Sequence, residues 1–119
     1  MLPRLTSIKR GRGQWVAVVP GYGVLPVVHS DCSDFKGRRY RAEFDEAAER
    51  SSKFEAHLRA FEDNPGFVLV QRDRPRETAD EAYQADGYLG VYAITGFVYD
   101  RQRHLLQFNY VKREPVRLA

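Results

Sequence analysis

Gly87-Tyr88-Leu89-Gly90-Val91-Tyr92-Ala93-Ile94-Thr95-Gly96-Phe97-Val98-Tyr99-Asp100-Arg101-Gln102-Arg103-His104-Leu105-Leu106-Gln107-Phe108-Asn109-Tyr110-Val111-Lys112-Arg113 is the stretch whose reading decides the fold. Aromatic and β-branched residues dominate both halves, as they do in strands. Asp100-Arg101-Gln102-Arg103 separates the halves, with Asp at a favoured turn position. Two such runs around a short polar turn predict a β-hairpin. In the second run Leu106, Phe108 and Tyr110 fall on one face, and Leu105, Gln107 and Asn109 on the other. In the first run Tyr88, Tyr92 and Ile94 are expected to share a face, with Leu89, Val91 and Ala93 opposite.

Upstream, residues 1–13 read as a basic N-terminal arm, ending in Lys9-Arg10-Gly11-Arg12-Gly13. Residues 14–119 read as a single globular domain. Gln14 to Val19 predicts a strand buried on both faces, and Pro20-Gly21-Tyr22-Gly23 a turn. Val24 to His29 predicts a second strand. Pro26 removes an amide donor, so this strand is expected at an edge or with a bulge there. Arg38 to Phe44 alternates Tyr40, Ala42 and Phe44 inward with charges outward. Asp45 is placed to cap the main helix, with Glu46 and Glu49 near its positive dipole end. Ala47, Ser51, Phe54, Leu58 and Phe61 make one helical face. His57 is expected off that stripe, in solvent. Asn64-Pro65-Gly66 stops the helix, and Gly66 to Gln71 predicts a strand. Arg72 to Asp86 reads as a long polar surface loop with a short helix at 78–84. The expected fold is α+β: a small curved antiparallel sheet or pseudo-barrel of about six strands with one main helix.

The 119 residues fit one domain, and 43% hydrophobic with 13% aromatic content argues for a packed core rather than disorder. Cys32 is the lone cysteine, so no internal disulfide forms, and a cytoplasmic location is the default expectation. No apolar run approaches the roughly 20 residues of a membrane span. The net charge of +3 is unevenly distributed. Residues 1–41 sum to +6, residues 42–100 to −7 and residues 101–119 to +4. Arginine outnumbers lysine fifteen to four. Arginine suits bidentate phosphate and base contacts, although a GC-rich genome also raises that ratio. Segregated basic segments attract polyanions.

The candidate nucleic-acid-binding residues follow from this layout. They are Lys9, Arg10 and Arg12 with Trp15 behind them, Arg38, Arg39 and Arg41, then Tyr88 and Tyr92, and finally Arg101 and Arg103. The basic groups would hold phosphates and the rings would stack bases. For Trp15 and the tyrosines, packing in the core is the competing reading. His29 and Cys32 could bind zinc or build a thiol nucleophile. One cysteine, however, does not make a typical structural zinc site without several histidines, and His57 is read as solvent-facing and His104 as a turn residue. No catalytic residue, metal or cofactor is therefore expected. The acidic stretch from Glu43 to Asp63 reads as a solvated helix face. Glu46/Arg50, Glu49/Lys53 and Glu55/Arg59 lie at four-residue spacing along it.

The tryptophan strand at Gln14–Val19 and the Gly-Tyr-x-Gly-x-Tyr strand and hairpin at Asp86–Arg113 loosely resemble the PUA-like superfamily, which includes the EVE, ASCH and SRA/YDG groups. That resemblance implies a curled β-barrel with a helix and a pocket that reads RNA or modified DNA bases. The expected function is nucleic-acid binding, DNA or RNA, without catalysis. Two further readings stand beside it: a small protein-interaction or inhibitor module of phage or mobile-element type, and a small ligand-binding barrel or enzyme.

Overall fold

The computed structural model describes residues 8, 10, 14–71 and 88–115. Lys9, Arg12, most of the basic arm, the 72–86 loop and its expected helix lie outside the described residues. Chain order is β1 (Val16–Val19), β2 (Gly23–His29), a 3-10 turn (Ser30–Cys32), β3 (Ser33–Asp34), β4 (Arg39–Glu43), α1 (Glu46–Glu49), α2 (Ser52–Asp63), β5 (Phe67–Gln71), β6 (Tyr88–Asp100) and β7 (Leu105–Arg113). The strands form one mixed sheet in the order β1-β2-β5-β6-β7-β4-β3, with β1 and β3 at its edges.

The α+β class holds, and the finer expectation changes in three ways. Among the described residues the strands number seven, because Ser33–Asp34 adds a short edge strand to β4. The sheet is open rather than a closed pseudo-barrel. It is also not wholly antiparallel, since β2 and β5 run parallel. The chain leaves β2, builds β3 and β4 and crosses through α1 and α2 before β5 returns alongside. That long crossover is what a parallel pair requires.

Pro26 marks where β2 changes partner. Gly23 to Pro26 pair with β1, and Val27 to His29 pair with β5. A residue without an amide donor therefore sits between two ladders, where the missing bond costs least.

Two buried clusters lie on opposite faces of β2 and β5. Val28, Val68 and Val70 join Tyr40, Leu106, Phe108 and Tyr110 under the helix residues Phe54, Leu58 and Phe61. Val27 and Leu69 join Ala17, Val19, Leu25 and Val91 on the other side. Both strands thus read as continuous apolar runs because both of their faces are covered. Phe61 is fully buried and stacks on Phe97 at 4.4 Å, a contribution of roughly 1.5–3 kcal/mol from burial alone.

The expected single helix is two. Asp45 caps the amide of Ala48, but the helix that it starts ends at Glu49. Ser51 then caps α2 by accepting from the Phe54 amide. Ala47 is consequently exposed. His57 is the main correction on α2, being only 3% exposed rather than in solvent.

A bulge corrects the face assignment in β6. Val70 pairs with Gly90 but Gln71 pairs with Tyr88, so Leu89 is an extra residue. Gly90 takes φ +147 there. Tyr88 therefore moves to the cluster that holds Val91, while Leu89 joins the one that holds Tyr92. Among the described residues, no helix is long and apolar enough to cross a membrane.

Candidate nucleic-acid interface

Alternation in β4, β6 and β7 sets the candidate surface. Tyr40 and Ala42, Leu106, Phe108 and Tyr110, and Ile94 point into the helix-side core. Their strand neighbours must point outward. Arg39 pairs with Asn109, which pairs with Thr95, making one outward row. Arg41, Gln107 and Val98 make the next row. Glu43, Leu105 and Asp100 make a third row at the hairpin end, where Leu105 is buried rather than exposed.

Arg39 and Arg41 are exposed and have no ion-pair partner among the described residues. By contrast, Arg50 and Arg59 lie 3.4 Å from Glu46 and Glu55 on the helices. Beside the two arginines lies a cleft of about 280 Å³, also lined by Gly96, Gln107 and Asn109. Gly96 has φ +70, a conformation that favours glycine. A Cβ there would stand 3.2 Å from the Asn109 side-chain nitrogen, so the bare glycine helps to open the cleft.

The other expected site residues are scattered. Arg38 also takes a positive φ, and its carbonyl accepts the Tyr110 amide at the start of β4. Arg101 and Arg103 sit in the hairpin turn, at the Glu43 end of β4. Arg101 lies 5.7 Å from the centre of the Tyr99 ring, and Arg103 is 3.9 Å from Asp100. The Asp100 carboxylate accepts the amides of Gln102 and Arg103, so the turn forms as expected.

Arg10 is elsewhere. It donates to Gln71 at 2.7 Å and to the Gln14 carbonyl at 2.8 Å, with the Tyr88 hydroxyl 3.4 Å away. Tyr88 is seven positions along β6 from Thr95, which separates Arg10 from the Arg39 row by roughly 20 Å along the strand. The structure brings Arg39 and Arg41 together and keeps Arg10 apart from them.

Trp15 and Tyr92 pack on the helix-side core, whereas Tyr88 lies half-buried on the opposite face with Val91. Trp15 packs against Phe44, Phe54 and His57 at 5.7–6.3 Å between ring centres. Tyr92 packs on Phe35 and Tyr110 at 5.5 and 5.4 Å. Neither Trp15 nor Tyr92 lies on the arginine-bearing face. What sequence reasoning missed is the amide pair: Gln107 and Asn109 were on the correct face, but nothing local revealed that β4 would lie beside them.

Two tyrosines mark the opposite face. Burial pushes the Tyr40 and Tyr110 hydroxyls well above the ordinary tyrosine range, and Cys32 adds to both shifts. The Ser33 and Tyr110 hydroxyls share a 2.7 Å hydrogen bond, which acts against the burial effect on Tyr110. At the far side of the hairpin His104 contacts the Glu49 carboxylate, tying the turn to α1. A second cleft of about 420 Å³ lies between α2 and Arg101, but its lining mixes Glu49, Glu55 and Glu62 with Arg50 and Arg59. Among the described residues no three His, Cys, Asp or Glu side chains are grouped to hold a metal ion.

Comparison with family models, with curated proteins and with solved structures found no match.

Proposed function

We propose that this protein binds nucleic acid without catalysis, through the outward face of β4, β7 and the end of β6. The observation that carries the reading is the pair Arg39 and Arg41, exposed and in no ion pair among the described residues, beside Asn109 and Gln107, with Asp34 the strand partner of Arg39 on β3. Two guanidiniums on alternate strand positions point the same way and repel each other unless an anion lies between or above them. Phosphates supply that anion, and the adjacent amides supply donors and acceptors for base edges or sugars. Arg38 and Lys36 extend positive charge from the start of β4.

The experiment is fluorescence anisotropy of labelled DNA and RNA at two salt concentrations. Saturable binding at roughly 50 mM salt that weakens steeply as salt rises supports the reading. No detectable binding of any nucleic acid at that salt overturns it.

A second reading, a protein-interaction module, is favoured by a different observation. Val18 and Val24 are cross-strand neighbours at the β1 edge, 46% and 49% exposed. β1 carries no charged residue, and uncharged edges invite pairing with another strand. A concentration-dependent dimer that Val18→Lys abolishes would favour it.

A further inference from the structure

Resting on the nucleic-acid reading above, we propose that β4 and β7 enter the major groove of B-form duplex DNA, where Arg39, Arg41, Gln107 and Asn109 meet base edges. The argument begins with spacing. Arg39 and Arg41 are alternate residues of one strand, and Asn109 and Gln107 are their partners on the next. Alternate strand residues are separated by about 6.6–6.8 Å, and base pairs stack every ~3.4 Å. Side chains two positions apart therefore face bases two steps apart, on both strands of the ribbon.

The residue types fit the same surface. Arginine pairs bidentately with guanine O6 and N7, and asparagine or glutamine pairs with adenine N6 and N7. All four members of the array are of these kinds. With β6 beside β7 at both rows, the face is three strands and about 10 Å across, against a groove about 12 Å wide.

The flanks give it room. β3 reaches only Arg39 and Tyr40, so among the described residues no strand lies beyond β4 at Arg41. On the β6 side, Gly96 carries no side chain and opens the 280 Å³ cleft next to Asn109. Glu43 and Asp100 stand in the row at the hairpin end and Asp34 pairs beside Arg39, so carboxylates border the array at both ends and confine phosphate contact to its middle.

The chemistry also discriminates against the other nucleic acids. The outward positions Thr95, Val98, Gln107, Asn109 and Val111 carry no aromatic ring, whereas sequence-tolerant capture of single strands relies on stacking. A-form RNA has a major groove too narrow for side chains to read.

The test is anisotropy with four labelled probes: a mixed-sequence DNA duplex, its separated strands, the RNA duplex of the same sequence, and the DNA duplex with purine N7 replaced by carbon. The DNA duplex is expected to bind most tightly, with the N7-modified duplex weaker by about tenfold. A Gln107→Ala, Asn109→Ala variant, shown to be folded by its unfolding transition, is expected to lose the adenine part of that difference and keep the guanine part that the arginines read. If single strands or RNA bind as well as duplex DNA, or if the modified duplex binds unchanged, the groove assignment falls and the nucleic-acid reading stands. If no probe binds, both fall.

Discussion

His57 donates its Nδ1–H to the Trp15 carbonyl oxygen at 2.8 Å, joining the middle of α2 to the residue before β1. The carbonyl can only accept, so the imidazole carries its proton on Nδ1. Burial holds His57 down to about 4 against the Trp15 bond, which acts upward, and His29 and Arg10 push it lower still. The native state is therefore neutral at this site at pH 7, while the unfolded chain takes up a proton near 6.5. Between those two values the unfolded state holds more protons, so stability is present above pH 6.5 and falls as pH drops towards 4. The loss is about 1 kcal/mol per pH unit across that window. Urea midpoints at pH 7 and pH 5 for the wild type and His57→Phe check this. The wild type should lose more than the variant, and equal losses would contradict the assignment.

Tyr99 presents a different case. Its hydroxyl is buried without a well-formed hydrogen bond, and the Glu49 carboxylate is the group close enough to compete for it. Burial first, and then the nearby Glu49 carboxylate, push it up to about 12. A buried, poorly bonded hydroxyl is a cost, and Phe keeps the ring that lies under Arg101. Tyr99→Phe is expected to stabilise the fold by about 1 kcal/mol. Thermal unfolding decides it, because a lower midpoint would show that the hydroxyl has a favourable partner.

Ser51 serves two helices at once. Its hydroxyl donates to the Ala48 carbonyl at 2.7 Å and accepts the Phe54 amide at 3.1 Å. Ser51→Ala should cost about 1 kcal/mol, while Ser51→Asp should retain most of the cap. Equal unfolding midpoints for Ala and Asp would remove the capping argument.

Gly96 couples fold to cleft. At φ +70, with Asn109 closing on any Cβ, Gly96→Val should destabilise by about 1–2 kcal/mol. Asn tolerates this region better, so Gly96→Asn should cost less in denaturant while still filling the cleft. A valine variant as stable as the wild type would mean that the backbone relaxes there.

Much of the fold was legible because strand and turn signals are local. The hairpin turn at Asp100, the inward set Leu106, Phe108 and Tyr110 and the cap at Asp45 follow from a few neighbouring residues each. The parallel pairing of β2 with β5 was not legible, since nothing in either apolar run encodes direction. Leu89 shows a second limit: one bulged residue reverses the face of Tyr88 without changing the composition of the strand. His57 shows a third, because only the approach of Trp15 from another element buries it. On the candidate surface, Arg39 and Arg41 were readable from alternation in β4. Their neighbours Asn109 and Gln107 depended on strand order, which sequence spacing leaves open.

The most direct test of the central claim is the salt dependence of nucleic-acid affinity for the wild type and for Arg39→Ala, Arg41→Ala. The double variant should bind more weakly in either case, with a log–log salt slope shallower by about 2 if both guanidiniums meet phosphates and little changed if both meet base edges. An unchanged affinity and slope in a folded double variant would place the contact elsewhere and contradict the account.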